Sequence, residues 1–354
     1  MRRWLLAWCN TISEATDRSD NSNRGEPMAD ILILNRSEVE ELLTLDTIVP
    51  VIEKAFIAFA DGRTKTYPVV REKIEHHKGI FGIKSGYLLN EEVIGLKAGG
   101  FWLDNPKRGL TAHQSTTVMF DPASGQPTAL MDGNHITTIR TAAAGALAAQ
   151  KLSRENAKIA AVLGCGTQGT GQTEALCRVR SIEEIRAYDT DLTTLEAYAK
   201  RIRGRGVTVT TTQNAEDAVR GADVIITATP GSQPVLWSNW VEPGVHVSAF
   251  GSDTKGKMEV EAALFPRAKV IVDDVTQATT IGETQHPVSQ GLIGREDIHA
   301  TLGEILAGRK PGRTSDDEIT LFDATGLAFQ DLVAGHLAMK LAQEKKMGKW
   351  LKIS

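Results

Sequence analysis

Apolar residues recur with two different periods in the first third of the chain. Between Thr47 and Ala60 they follow a helical spacing, at Ile48, Val51, Ile52, Ala55, Phe56 and Phe59. Short apolar runs broken by Gly, Asn and Pro come next and predict strands at 67–73, 80–87, 92–98, 115–120 and 127–131. A strand at 31–34 and a helix capped by Ser37 precede them. The pattern therefore predicts a helix pair with a mostly antiparallel sheet.

Beyond an alanine-rich helix within 136–152, short apolar runs alternate with helical segments. Strands are predicted at 207–211, 222–229, 245–250 and 270–273, and helices at 192–203 and 215–220. This alternation is typical of a doubly wound parallel sheet. A strand at 319–323 leads into a last helix at about 325–342, which we expect to pack against the N-terminal region.

The predicted fold class is thus α/β, with a Rossmann-type doubly wound parallel sheet and a second α+β domain formed by the N-terminal third and the C-terminal helix. A chain of 354 residues exceeds what one hydrophobic core usually serves. We assign residues 28–140 to the α+β domain, 141–318 to the Rossmann domain and 319–354 to a segment that returns to the first domain. Residues 1–27 are expected to be a disordered or upstream-start extension, and residues 345–354 a solvated tail.

The composition is that of an ordinary globular protein, with 41 % hydrophobic and 24 % charged residues. A net charge of −4 gives no reason to expect a nucleic acid or a membrane surface as partner. The three cysteines, Cys9, Cys165 and Cys177, do not make a disulfide framework, which fits a reducing cytoplasm. Apolar stretches of transmembrane length and metal-ligand spacings are not found in the sequence, so we predict no membrane span and no metal site.

Residues 158–191 read as one βαβ unit built for a dinucleotide. An apolar run leads into Gly164-Cys165-Gly166-Thr167-Gln168-Gly169, and a helix and a second apolar run follow. The first glycine suits the turn, the second lets backbone approach a pyrophosphate, and the third lets the helix pack on the sheet. Asp189 ends the second strand, where a carboxylate accepts hydrogen bonds from both ribose hydroxyls and repels a 2′-phosphate. NAD is therefore the predicted cofactor.

Two further strand ends could contribute to a site, because ligands of open α/β sheets bind beyond the carboxyl ends of the strands. Thr227-Ala228-Thr229 can close over the nicotinamide ribose, although an ordinary turn has the same composition. Ser252-Asp253 follows the next strand, and Asp253 could transfer protons or merely cap a turn.

Cations occur in apolar surroundings in the N-terminal region. Lys84 and Lys97 lie in predicted strands, where an exposed face is the simpler interpretation of each. Arg140 is placed at the start of the alanine-rich helix, where it opposes the helix dipole unless an anion binds there or the side chain bends into solvent.

Several motifs, taken in order, resemble the ornithine cyclodeaminase and mu-crystallin family. They are Gly95-Leu-Lys97, Asn105-Pro106, Gly109-Leu110, Phe120-Asp121, Leu130-Met-Asp132-Gly, Arg140-Thr141-Ala-Ala, the Gly164–Gly169 loop, Gly251-Ser-Asp253, Lys257-Met-Glu259 and Leu302-Gly-Glu. The resemblance covers nearly everything from Met28 onward. It implies a homodimer with an NAD(P)-binding domain and a mixed substrate and dimerisation domain. The implied chemistry passes through an imine at the Cα of an amino acid.

The resemblance also implies roles for single residues. Lys97 and Arg140 match positions that hold the substrate carboxylate and polarise the reacting nitrogen, and Lys97 is a catalytic candidate. Arg71 resembles a further carboxylate ligand, and Asp253 matches the acid/base aspartate. The cofactor-binding candidates are Thr141, Gly164, Gly166, Thr167, Gln168, Gly169, Asp189, Thr227, Ala228, Thr229 and Ser252.

Departures from the family pattern bear on the substrate. Where the family commonly shows Met-Pro-Ala, this chain has Ile83-Lys84-Ser85-Gly86. His113 is the central residue of a stretch that resembles a Ser-His-Gln motif found in the family. We expect Lys84 and His113 to bind a second carboxylate. The resulting hypothesis is an NAD-dependent imine reductase or amino-acid dehydrogenase for a short dicarboxylic α-imino acid, with iminosuccinate and aspartate as the most specific pair. Ornithine cyclodeaminase, an alanine dehydrogenase-like activity and a non-enzymatic binding protein stay as alternatives.

Overall fold

The computed structural model describes residues 30–352, and two eight-stranded sheets organise them. The strands are β1 (Asp30–Leu34), β2 (Thr64–Thr66), β3 (Val70–Ile74), β4 (Gly79–Leu88), β5 (Val93–Trp102), β6 (His113–Phe120), β7 (Pro127–Asp132), β8 (Ile159–Leu163), β9 (Glu184–Tyr188), β10 (Thr208–Thr212), β11 (Val224–Thr227), β12 (Ser232–Leu236), β13 (His246–Ala249), β14 (Met258–Val260), β15 (Ala268–Val272), β16 (Ala300–Thr301), β17 (Ile319–Asp323) and β18 (Lys349–Lys352). The α-helices are α1 (Arg36–Leu42), α2 (Leu45–Ala60), α3 (Gly133–Leu152), α4 (Thr167–Val179), α5 (Leu192–Arg203), α6 (Ala215–Val219), α7 (Val275–Ile281), α8 (Gln285–Ser289), α9 (Leu302–Leu306) and α10 (Ala328–Lys345).

The first sheet is mixed and has the order β18-β1-β7-β6-β5-β4-β2, with β3 also paired to β4. Every pair is antiparallel except β1 with β7. Helix α10 lies on one face of this sheet, where a Cβ on Gly95 of β5 would come within 2.9 Å of Leu332 Cδ2. Glycine in the strand therefore lets the helix lie close to the sheet, and polar side chains of α10 reach the same face.

The second sheet is entirely parallel, in the order β10-β9-β8-β11-β13-β17-β15-β16. The order reverses at β8, since β9 lies on one side and β11 on the other. A reversal of this kind leaves a crevice at the carboxyl ends of the strands, which is where dinucleotides bind in such sheets. The predicted combination of a Rossmann-type sheet with a second α+β unit is confirmed.

Two predicted boundaries differ from the structure. The strand Ile319–Asp323, assigned to the returning segment, pairs with β13 and β15 inside the parallel sheet, so the chain leaves that sheet only after Asp323. Helix α3 extends from Gly133 to Leu152 and packs against both α2 and α4, so a boundary at residue 140 cuts through a single helix. Local sequence patterns do not encode which strands pair, and this is why the assignment of β17 was wrong.

The chain ends also differ from expectation. Lys349–Lys352, predicted as part of a solvated tail, form β18 and pair with β1, although their side chains are exposed. The cap of α1 is Asn35, which accepts from the Glu38 N–H in a capping box, and not Ser37. The predicted extension at residues 1–27 lies outside the described residues. Among the helices within residues 30–352, the structure contains none with the length and hydrophobicity needed to cross a bilayer.

Candidate active site

The three glycines of the dinucleotide loop each meet a separate geometric requirement. Gly164 adopts φ = 97°, and a Cβ there would lie 2.6 Å from Ala228 O. Gly169 packs so closely on the Gly164 carbonyl that a side chain has no room. Gly166 precedes α4, and nothing lies within 4 Å of the position its Cβ would take. The open space at Gly166 beside the N-terminus of α4 fits a pyrophosphate, because the first amides of a helix are free donors.

Asp189 lies directly after β9 and closes the same loop. Its Oδ2 accepts from the Cys165 N–H at 2.8 Å and its Oδ1 from the Asp191 N–H at 2.9 Å. Each carboxylate oxygen keeps a lone pair for a ribose hydroxyl. Thr167 is exposed at the start of α4, and Gln168 Oε1 is buried without a hydrogen-bond partner among the described residues. These features suit a dinucleotide.

Buried glutamates hold the two remaining strand-end loops, which follow β11 and β13, in place by hydrogen bonds. Glu259 accepts from Thr227 Oγ1 at 2.8 Å and from the Gly251 N–H at 2.7 Å, and it also bonds the Thr229 N–H. Glu283 accepts from Ser252 Oγ and, at 2.8 Å, from the Glu259 N–H. Burial and the nearby Glu259 raise the pKa of Glu283 well above its usual range. The hydroxyls of Thr227 and Ser252 therefore hold the loops in place and are not free to donate to a cofactor.

The hydroxyl and carbonyl groups of Thr141 also make hydrogen bonds within the protein. Its hydroxyl donates to Thr137 O at 2.6 Å, one turn back in α3, and its carbonyl accepts from Gln172 Nε2 at 2.8 Å. Thr141 thus ties α3 to α4, the helix that begins at the glycine loop.

Lys84 and Lys97 face each other across β4 and β5. Both are only 7 % exposed, so the simpler interpretation of two surface lysines is wrong. Their strands also bring Thr117 beside Lys97, and Lys97 Nζ contacts Thr137 Oγ1 of α3 at 3.1 Å. Burial lowers the pKa of both lysines, and the nearby charge of Lys97 lowers that of Lys84 further. The pKa of Lys84 falls to about 7, mainly through burial and then through repulsion by Lys97.

Lys97 shares its counter-ion with Arg140. Asp331 of α10 lies 2.9 Å from Lys97 Nζ and accepts from Arg140 Nε at 3.0 Å. Burial alone would raise the pKa of Asp331, but Arg140 and Lys97 outweigh it and lower the pKa to about 2. Arg140 is 4 % exposed and lies in the middle of α3, because that helix begins at Gly133. Neither the helix-dipole argument nor a solvent-bent side chain therefore applies to it.

Lys84 is bound differently, through backbone carbonyls. Its Nζ donates to Thr325 O at 3.0 Å and Gly326 O at 2.7 Å, in the segment between β17 and α10. Asp273 fixes this segment by accepting from Thr325 Oγ1 at 2.8 Å and from the Gly326 N–H at 2.6 Å. An ammonium group carries three protons, so Lys84 retains one for a ligand.

Asp253 lies between two cations at the edge of the cleft. Its Oδ2 is 3.0 Å from Arg71 Nη1, and its Oδ1 is 2.9 Å from Lys257 Nζ. Burial raises the pKa of this carboxyl, but Lys257, Arg71 and Lys84 more than compensate, and the pKa lies well below its usual range. Asp253 is therefore an ionised acceptor in the free protein. The structure brings Arg71, Lys97, Arg140 and Asp253 close enough to Lys84 for each of their charges to act on its pKa.

His113 does not have the chemistry expected of it. Its Nδ1 lies 3.1 Å from Asn134 Oδ1, which already accepts from the Ser115 N–H at 2.9 Å. Since that amide oxygen is an acceptor, Nδ1 must donate, and Nε2 of the neutral ring carries the lone pair. Burial and then Lys97 lower the pKa of His113 to about 4, so the ring is neutral near pH 7. A neutral His113 with its lone pair on Nε2 accepts an N–H and does not bind a carboxylate.

Residues 29–346 match the model of the ornithine cyclodeaminase/mu-crystallin family. The chain belongs to this family. Among its relatives, an alanine dehydrogenase from Archaeoglobus fulgidus is 39 % identical over 321 residues, covering 91 % of this chain and 98 % of the relative. An iminosuccinate reductase from Paracoccus denitrificans is 36 % identical over 323 residues, covering 91 % of this chain and 100 % of the relative.

Solved structures of this family superpose closely on the chain. An archaeal alanine dehydrogenase dimer with bound NAD gives a TM-score of 0.86 at 39 % identity and covers 92 % of this chain and 100 % of its own. The Paracoccus denitrificans iminosuccinate reductase in complex with NAD+ gives 0.83 at 35 % identity and covers 92 % of this chain and 100 % of its own. Both of these structures hold the cofactor that the glycine loop and Asp189 indicate.

Sequence reasoning missed several residues that organise this family site. Asp331 and Gln330 bind Arg140, with Gln330 Oε1 2.9 Å from Arg140 Nη1. The motif Lys257-Met-Glu259 assigns no role to Lys257, and no sequence motif marks Asp273. The available signal is charge in an apolar context, since Asp331 interrupts a mostly apolar run at 327–334.

Proposed function

We propose that this chain reduces a short dicarboxylic α-imino acid to the corresponding amino acid with NADH, with iminosuccinate to aspartate as the most specific candidate. The observation that carries the proposal is Lys84, a buried cation that makes no ion pair with a carboxylate among residues 30–352 and lies opposite Lys97. Backbone carbonyls bind it and leave one proton free. A second carboxylate on the substrate is the partner that this position lacks.

The balance of charge in the cleft supports a dianionic ligand. Five cationic side chains, Arg71, Lys84, Lys97, Arg140 and Lys257, outnumber the nearby carboxylates of Asp253 and Asp331, and of Asp273 behind the segment that binds Lys84. Like charges in a buried site repel, which is why burial and repulsion lower the pKa of Lys84 to about 7. A ligand with two carboxylates neutralises most of this excess.

The roles of the residues follow from their neighbours. Lys97 and Arg140, oriented by Asp331, hold the α-carboxylate together with Arg71, and Lys84 holds the second carboxylate. Bound NADH supplies the hydride. The ionised Asp253 accepts a hydrogen bond from the protonated imine nitrogen and so favours the iminium form, whose carbon is the more electrophilic. His113 offers the Nε2 lone pair to an N–H of the same substrate.

An alanine dehydrogenase-like activity is the second candidate. Arg71, Lys97, Arg140 and Asp253 suffice for a monocarboxylic imino acid, and the Archaeoglobus fulgidus relative at 39 % identity is an alanine dehydrogenase. A cyclodeaminase role fits less well, because a second ammonium group on the substrate would meet Lys84. Two cations about 4 Å apart repel by roughly 1–4 kcal/mol between bulk water and a protein surface.

We also propose that the chain forms a homodimer and that the enzyme is cytoplasmic. The face of the mixed sheet opposite α10 is apolar and lacks a covering helix within residues 30–352. Phe81 is 37 % exposed on it and Leu130 is 39 % exposed, and a shallow groove lined in part by Phe81, Ala98, Thr116 and Leu130 runs across it. Exposed apolar surfaces of this kind mark protein interfaces, and the archaeal alanine dehydrogenase is a dimer.

A direct assay tests the function. Purified protein is given NADH with freshly made iminosuccinate, with pyruvate plus ammonia, or with ornithine and NAD+, and absorbance of NADH is followed. We expect the largest kcat/KM with iminosuccinate. Release of ammonia from ornithine without net change in NADH would reject the proposal, and a preference for pyruvate plus ammonia would favour the second candidate.

A further inference from the structure

Asp253 is held by two cations that come from different parts of the molecule. Lys257 lies four residues further along the same loop, whereas Arg71 lies on β3 of the mixed sheet. The Lys257 contact therefore stays within one loop. The Arg71 contact joins the two sheets across the cleft in which the substrate must bind.

Lys257 is fixed to its loop at several points. Its Nζ donates to Gly251 O at 3.2 Å in addition to Asp253 Oδ1. Its carbonyl accepts from His286 Nε2 at 2.6 Å. Since Glu259 fixes the Gly251 N–H, the loop, the lysine and Oδ1 of Asp253 form one rigid unit.

Arg71 is held less completely. Its Nη1 donates to Asp253 Oδ2 at 3.0 Å and to Thr254 Oγ1 at 2.7 Å, while its Nε is buried without a hydrogen-bond partner among the described residues. A guanidinium has five donors in a planar fork and binds a carboxylate most strongly with two parallel hydrogen bonds. The Arg71 side chain is 24 % exposed, so donors other than the buried Nε remain for a ligand.

We propose that the substrate α-carboxylate displaces Asp253 from Arg71, which frees Asp253 Oδ2 to face the reacting nitrogen, while Lys257 acts as a positioning residue that keeps Oδ1 in place. The inference rests on the proposed function, because it requires a carboxylate substrate. One carboxylate replaces another on Arg71, so the exchange leaves no cation unpaired. The acid/base group is thereby released only when substrate is bound.

The charges that face Asp253 explain why Lys257 matters after the exchange. They are Lys257 from its own loop, Arg71 from β3 and Lys84 from β4. Once the substrate neutralises Arg71 and Lys84, Lys257 is the remaining cation beside Asp253. Its removal lets the carboxyl take up a proton at higher pH, and a protonated Asp253 no longer accepts from an iminium.

A double-mutant cycle tests the exchange. The NADH complex of the protein is titrated with succinate, a non-reactive dicarboxylate, for the wild type, Asp253→Asn, Arg71→Gln and the double variant. Because Asp253→Asn removes the competitor for Arg71, we expect succinate to bind about two- to fivefold more tightly, the range of one partly exposed ion pair. The gain should vanish in the Arg71→Gln background. An equal gain in both backgrounds, or no gain in either, overturns the exchange.

A second experiment tests Lys257. Lys257→Met should lower kcat at least tenfold with little change in KM, and it should move the acid limb of the kcat–pH profile to higher pH, with partial rescue by Lys257→Arg. Lys255→Met, an exposed lysine of the same loop, is the matched control and should leave the profile unchanged. Equal profiles for the Lys257→Met and wild-type enzymes overturn the positioning role. If the wild type reduces no imino acid, the proposed function fails, yet the succinate cycle still decides the exchange.

Discussion

Lys84 and Lys97 are direct register partners across the antiparallel strands β4 and β5, and both ammonium groups are buried on the face covered by α10. Their partners in the described part of the chain differ, because Lys97 has the carboxylate of Asp331 and Lys84 has the carbonyls of Thr325 and Gly326. The charge of Lys97 is therefore already neutralised by a carboxylate, whereas the charge of Lys84 requires an anion. This difference is the basis of the proposed preference for a second carboxylate.

The pH dependence of diacid binding follows from Lys84. Burial and then Lys97 lower its pKa to about 7 in the free protein, so the ammonium form is lost as pH rises through that value. Because only the charged form pairs with a carboxylate, KM for a diacid should rise by up to about tenfold per pH unit above 7. KM for a monocarboxylic substrate should lack this step near pH 7 and should rise only above about pH 8, because burial lowers the pKa of Lys97, which holds the α-carboxylate, to about 8. Steady-state kinetics between pH 6 and about 9 measure both, and parallel profiles would contradict the assignment.

Replacement of Asp331 by asparagine should destabilise the fold strongly. Lys97 and Arg140 would remain buried without a counter-ion, and such a loss typically costs about 3–5 kcal/mol in the free energy of unfolding. Asp46→Asn is the matched control, since Asp46 pairs with Arg178 at the surface with side-chain exposures of 72 % and 52 %. It should cost at most about 1 kcal/mol. Urea unfolding at fixed protein concentration compares the two, and equal losses would argue against a tightly paired buried cluster.

Cofactor choice should depend on the charge of Asp189. Asp189→Asn keeps an oxygen for one of the two loop N–H groups and removes the negative charge that repels a 2′-phosphate. We expect the ratio of kcat/KM for NADH over NADPH to fall by about ten- to a hundredfold, the effect of one or two charge-assisted hydrogen bonds. An unchanged ratio would show that another group selects the cofactor.

The assembly state should respond to a charge on the open sheet face. Leu130→Glu places a carboxylate in the centre of the proposed dimer interface and should shift the protein to monomers in light scattering. Leu192→Glu is the control, because Leu192 is 58 % exposed at the start of α5, away from the mixed sheet. If Leu130→Glu stays dimeric, the interface lies elsewhere.

The parts of the fold set by local chemistry were predictable from the sequence. Helix α5 has the predicted bounds, Leu192–Arg203, because Asp191 caps it and its apolar residues recur every three or four positions. The glycine loop was equally readable, since Gly164 needs a positive φ and Gly169 a close helix contact. Both depend on neighbours within a few residues.

Features that depend on distant partners were not predictable. Asp331 meets Arg140 across 191 residues of sequence, and only the packing of α10 on the sheet brings them together. The tautomer of His113 depends on Asn134, which reverses the expected role of that histidine. Strand β17 was assigned to the wrong unit for the same reason, because its pairing with β13 and β15 is set by the whole sheet.

The most direct test of the central claim compares the oxidation of aspartate and of alanine with NAD+, for the wild type and for Lys84→Met. Methionine keeps the volume of the buried side chain but cannot pair with a carboxylate. We predict that the wild type prefers aspartate and that Lys84→Met lowers kcat/KM for aspartate at least a hundredfold, about 3 kcal/mol, while that for alanine stays within a few-fold. Equal losses for both amino acids, or a wild-type preference for alanine, would contradict a site built for two carboxylates.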